Sequence, residues 1–125
     1  MKKTGRPVSP HVTIYAFPIA ALSSIVNRAT GMVLSVGCLG LGVIEMANGS
    51  GAALNLMETL GTSSFLIAGP AKFCVAFPFA YHYLGGVRHW VWDRNPDMLT
   101  NDDTEKSAYA LMGTSVVLGG IMMFV

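Results

Sequence analysis

From Ile19 to Ile44 the chain passes through 26 residues that carry a single charge, Arg28. In lipid such a run need only be helical, because a helix satisfies its backbone N–H and C=O groups internally. About 20 apolar residues cross the hydrocarbon layer, so the stretch predicts a membrane helix with some tilt. The rest of the sequence agrees. It is 52% hydrophobic and 12% charged, with mean hydropathy +0.51, and soluble domains carry about twice that charge fraction. A net charge of +1 gives no footprint for nucleic acid.

Two more spans are expected, at about 63–92 and 107–125, making an all-α membrane protein of three transmembrane helices in a heteromeric bundle. Residues 1–18 hold Pro7, Pro10 and Pro18 with Lys2, Lys3 and Arg6. They read as an irregular arm with Tyr15 and Phe17 at the interface and His11 as a hydrogen-bonding anchor. Neither a secretory signal nor an Arg-rich transit pattern is read there. In the first connection, Asn48–Gly51 predicts a turn and Ala52–Leu60 a short amphipathic surface helix. Residues 93–106 are the only strongly charged block, and Thr100 or Asn101 is the expected cap of the last helix. Cys38 and Cys74 read as small buried core residues.

Three spans put the arm and the 93–106 loop on one side, with Lys2, Lys3, Arg6, Arg94 and Lys106. The opposite loop has no Lys or Arg. The positive-inside rule then places the N-terminus in the matrix or cytoplasm. It also brings the start of the first helix level with the end of the second.

That layer carries the chemistry. At helical spacing Ser24, Asn27, Arg28, Gly31, Ser35, Cys38 and Gly42 share one face, polar first and then small, expected to face the bundle interior. In the second helix, Phe77–Asp93 reads FPFAYHYLGGVRHWVWD. An ionisable residue in a run this apolar calls for a partner. His82 either hydrogen-bonds a neighbouring helix or ligates haem iron. His82 and His89 lie two turns apart on one helix, about 10 Å of rise, so they cannot both ligate one haem. Gly85 and Gly86 beside His82 would let a flat macrocycle approach the backbone, and Arg28, Arg88 and His89 are candidates for its propionates. Ser24 and Arg28, at i and i+4, either donate to a quinone carbonyl or contact another subunit. Upstream, Gly69-Pro70 is either an internal irregularity or a helix start, Pro78 predicts a kink, and Lys72 either snorkels or pairs with a neighbouring subunit.

Four blocks in order complete this reading: Arg6-Pro7-x-Ser9-Pro10-His11-x-x-Ile14-Tyr15; Ser24-Ile25-x-x-Arg28-x-Thr30-Gly31; Ala71-Lys72-Phe73; and Tyr81-His82-x-x-x-Gly86-x-Arg88-His89-x-x-Trp92-Asp93. Together they resemble the cytochrome b large subunit of succinate dehydrogenase, respiratory complex II, over about residues 6–120. The resemblance implies a membrane anchor for the flavoprotein and iron–sulfur subunits, working with a small cytochrome b anchor subunit. It implies a haem b whose iron takes His82 from this chain and a second His from the small subunit. It also implies a ubiquinone site that includes Ser24, Ile25 and Arg28, with succinate chemistry on a partner. The implied location is the mitochondrial inner membrane, or a bacterial inner membrane. A fumarate reductase anchor using a low-potential quinol and a haem-less assembly or scaffold subunit are the alternatives. The family usually carries His, near a haem propionate, where this chain has Asn27.

Overall fold

A computed structural model describes residues 16–125. Expectations for the arm before Ala16, including His11 and Tyr15, lie outside the described residues. Four α-helices follow in order: α1 Ile19–Asn48, α2 Ala52–Gly61, α3 Phe65–Arg94 and α4 Asn101–Met122, with a single 3-10 turn at Pro96–Met98 between α3 and α4. Among the described residues, α1 is the one helix both long and apolar enough to cross a membrane. The all-helical expectation therefore holds. Three crossings are not established by length and composition, because α3 and α4 carry more polar residues.

The helix ends explain the boundaries. Gly49 and Gly51 turn the chain with φ of 93° and 90°, a region that favours glycine. The Glu45 carboxylate then accepts hydrogen bonds from the Gly51 N–H at 2.5 Å and the Ala53 N–H at 2.9 Å. It thereby supplies the cap that α2's own first residue lacks. Ser64 precedes α3, which continues helically through Pro70 and Pro78, so Gly69-Pro70 is internal to the helix. Thr100 caps α4: its hydroxyl accepts from the Asp103 N–H at 3.1 Å and donates to the Asp103 carboxylate at 2.7 Å. The cap is therefore at Thr100, as expected, and α4 begins six residues ahead of the expected span, with Asp102 and Asp103 suited to its positive end.

The interior is small and polar. Ser23, Thr30 and Ser115 are buried alongside Ala68, Tyr81, Ala108 and Leu111. Exposed residues include Val33, Val36, Leu39 and Val43 on α1, Ile67, Val75 and Phe79 on α3, and Val117 and Ile121 on α4. A water-soluble fold buries such residues; helices that pack in lipid bury small ones and leave large ones outside. Gly119 illustrates this packing. A Cβ there would sit 3.0 Å from Phe73 and 3.1 Å from Phe77, so its absence lets α4 close on the stacked Phe73–Phe77 pair.

Two expectations about burial are corrected. Cys38 and Cys74 are exposed on this chain, not buried. The second half of the small stripe does not form a seam within the chain either. Ser35 is exposed, and a Cβ at Gly42 would meet nothing within 4 Å. Both cysteines and this stripe lie where the rest of the bundle does not reach.

Candidate functional site

The sequence places the start of α1 beside the second half of α3, and the structure brings them together. A cleft of about 210 Å³ opens between α1, α3 and α4. It is lined by Ser23, Ser24 and Asn27 from α1, by Gly85, Arg88, His89 and Trp92 from α3, and by Thr104 and Leu111 from α4. Ser24, Arg88 and His89, chosen from spacing alone, therefore share one cavity.

Arg88 is the hub of its wall. Its Nε donates to Ser107 Oγ at 3.0 Å, Nη1 to Ser23 Oγ at 3.2 Å and Nη2 to the Thr104 carbonyl at 2.8 Å. The guanidinium carbon also lies 4.0 Å above the Trp92 ring, a cation–π contact. One side chain thus joins α1, α3 and α4. Three of its five N–H groups are used in this way, leaving two for a ligand. Tyr81 braces the same seam. It is fully buried, and its hydroxyl lies 3.0 Å from Ser23 Oγ and 3.2 Å from the Ser23 carbonyl. Neither Ser23 nor Tyr81 was distinguished by spacing. The usable signal was Tyr81 itself, since a tyrosine inside an apolar helix brings a hydroxyl that requires a partner.

Arg28 lies on the outer face of α1 among the described residues of this chain. It is exposed, and its Nη2 donates to Ser24 Oγ at 3.2 Å across one helical turn. Ser24 alone reaches the cleft, and Ile25 is half-exposed beside it. The three form a mixed polar and apolar patch on the outer surface of α1. The donors at i and i+4 are in place, but they open outward and not into this chain's core.

His82 sits apart from the cleft, one turn nearer the middle of α3. Its Nδ1 lies 2.9 Å from the Asn27 carbonyl. A carbonyl can only accept, so Nδ1 carries the proton and donates it. In the neutral imidazole Nε2 is then the nitrogen with the free lone pair, on an exposed residue. That is the arrangement an axial iron ligand requires, so the residue fits a haem. Gly85 does not serve the expected macrocycle, because the Asn27 side-chain oxygen presses against it where a Cβ would be. Gly86 is open, with nothing among the described residues within 4 Å of a Cβ. The same Asn27 oxygen is buried without a hydrogen-bond partner.

A second depression, about 750 Å³ and almost wholly apolar, runs beneath α2. It is lined by α2, α3 and α4 residues such as Leu60, Val75, Phe79 and Leu118, and Lys72 is its one charge. Among the described residues Lys72 makes no ion pair; its stem lies against Gly61 at the end of α2.

Comparison with known proteins bears on this geometry. The succinate dehydrogenase/fumarate reductase transmembrane subunit family matches residues 2–122. The chain is 40% identical over its whole length to the mitochondrial succinate dehydrogenase cytochrome b560 subunit of Dictyostelium discoideum, covering 65% of that protein. It is 36% identical, over 95% of its length and 76% of the relative's, to the cytochrome b560 subunit of Reclinomonas americana. It is 28% identical over its whole length to the cytochrome b556 subunit of Paracoccus denitrificans, of which it covers 95%. It thus spans slightly under two thirds of the Dictyostelium relative and nearly all of the bacterial one. The family match covers nearly the whole chain, and the chain belongs to the transmembrane-subunit family of succinate dehydrogenase and fumarate reductase.

Proposed function

We propose that this chain is the large membrane-anchor subunit of a succinate:ubiquinone oxidoreductase. It crosses the inner membrane three times, at about 19–44, 63–92 and 107–125, with its N-terminus in the matrix or cytoplasm. Its partners are a flavoprotein subunit, an iron–sulfur subunit and a small cytochrome b anchor. Succinate oxidation belongs to the soluble partners, and electrons reach quinone where the iron–sulfur partner meets the membrane.

The observation that carries this reading is the His82 ring. Its Nδ1 is committed to the Asn27 carbonyl, which leaves Nε2 as the free ring nitrogen of an exposed residue. Such a ring would hold the iron of a haem b, with the other ligand supplied by the small anchor. When bound, haem b supplies a one-electron redox centre within the membrane. Arg88, with two N–H groups uncommitted, and His89, on the cleft wall, would face its propionates, together with Arg28 at the surface. Ser24 and Arg28 would hold a ubiquinone carbonyl from the outer face of α1, with Ile25 against the ring. The outward opening of that patch supports a site completed by another subunit.

The test is a reduced-minus-oxidised spectrum of the purified complex. A b-type band that His82→Ala abolishes supports the ligand. A band untouched by His82→Ala would reject it, and a wild-type complex with no band points to a haem-less scaffold. Ser24→Ala and Arg28→Ala should impair quinone reduction while sparing succinate oxidation by a soluble dye. Equal loss of both activities would indicate an assembly role instead. Because the family description names fumarate reductase as well, both directions need assaying with the native quinone.

A further inference from the structure

The imidazole of His82 is seated against α1 by a glycine. A Cβ built on Gly31 would lie 2.7 Å from His82 Cε1, 3.1 Å from Nδ1 and 3.4 Å from Nε2. One turn earlier the Asn27 carbonyl accepts the ring's Nδ1–H at 2.9 Å. The same carbonyl also accepts the Thr30 hydroxyl at 2.9 Å, and that hydroxyl is shared with the Val26 carbonyl. The ring thus has a flat floor, made by the absence of a side chain at residue 31, and an anchor, made by a main-chain oxygen at residue 27. A main-chain oxygen cannot take a proton and cannot rotate, so it fixes the tautomer as well as the ring plane.

We infer that Gly31 and the Asn27 carbonyl form a positioning element that fixes the plane of the His82 ring and engages its Nδ1, leaving Nε2 as the nitrogen available to a metal centre. This inference rests on the reading of His82 as a haem ligand. Gly31 touches no cofactor in this scheme; it acts only through the His82 ring. An alanine there forces the ring to tilt or α1 to withdraw, and either breaks the short bond to Asn27.

The experiment uses the intact membrane complex. Gly31→Ala should lower haem affinity about 10–100-fold, the usual loss when a group orienting a metal ligand is removed. The remaining haem should show an altered b-type spectrum. Gly37→Ala is the control: a Cβ at Gly37 meets nothing within 4 Å, so its haem content and spectrum should match wild type. A second arm separates positioning from general packing. In a His82→Ala background the ring is gone and the Cβ fits, so adding Gly31→Ala should not lower the thermal midpoint of the complex further. Wild-type haem content and spectrum in Gly31→Ala would overturn the inference. So would an equal fall in midpoint in both backgrounds, which would mean the glycine serves backbone approach and not the ring. If His82→Ala leaves the spectrum intact, the ligand reading fails on its own, and the two-background comparison still reports whether Gly31 seats the ring.

Discussion

Ser23 is buried and hydrogen-bonded to both Tyr81 and Arg88, and eight residues on, Gly31 lies flat against His82. Further along the same helix, a Cβ at Gly37, Gly40 or Gly42 would meet nothing within 4 Å. One half of α1 is tied to α3 and α4 by directional bonds; the other presents glycines and large apolar side chains to its surroundings. In hydrocarbon, apolar surface gains nothing by pairing with apolar surface, so close packing and hydrogen bonds decide where helices adhere. The tied half can hold its geometry unaided. The open half is where lipid or another subunit has to supply the neighbours.

Disrupting the tied half gives the largest expected effects. Arg88→Ala removes three hydrogen bonds from a charged donor and should cost on the order of 3 kcal/mol, measured as a fall in the thermal midpoint of the purified complex. A wild-type midpoint would mean that Ser107, Thr104 and Ser23 repack without it, and that the contrast between the halves is overstated. Tyr81→Phe keeps the ring and removes only the hydroxyl bonded to Ser23, so a loss of about 1 kcal/mol is expected. Changes in the open half should be smaller. Glu45→Ala should leave the helices associated but speed amide hydrogen exchange at Gly51 and Ala53, whose N–H groups lose their acceptor. Gly42→Ala meets no clash within the chain and should stabilise α1 by up to about 1 kcal/mol through helix propensity. If it instead loosens the assembled complex, a partner helix packs on that glycine, and the open half is an interface.

The long apolar run of α1 and the surface helix α2 were legible because their patterns are local. The start of α4 was legible too, because Thr100 carries a capping hydroxyl just ahead of the acidic first turn. The site was half legible. Topology alone set Ser24 and Asn27 level with His82 and His89, since that argument needs only the order of the helices. Its rotational detail was out of reach. A stripe read at i, i+4 does not separate Ser23 from Ser24, neighbours about 100° apart on a helix, yet one is buried against Tyr81 and the other shares the cleft with His89. Arg28 was assigned to a bundle interior on charge and spacing, and among the described residues that face of α1 is exposed. Gly85 was read as room for a cofactor, whereas Asn27 fills it.

Tyr81 and His82 are consecutive, so they project from α3 roughly a quarter turn apart. Tyr81 is locked against Ser23; His82 is exposed. The buried residue therefore works as an angular stop: while its hydroxyl is held, α3 cannot roll about its own axis. Ligand constellations tolerate errors of only about 10–20°. The bearing of the histidine toward whatever lies outside the chain is fixed by a tyrosine that never meets it, and slippage at that stop would misdirect the ring before any helix came apart.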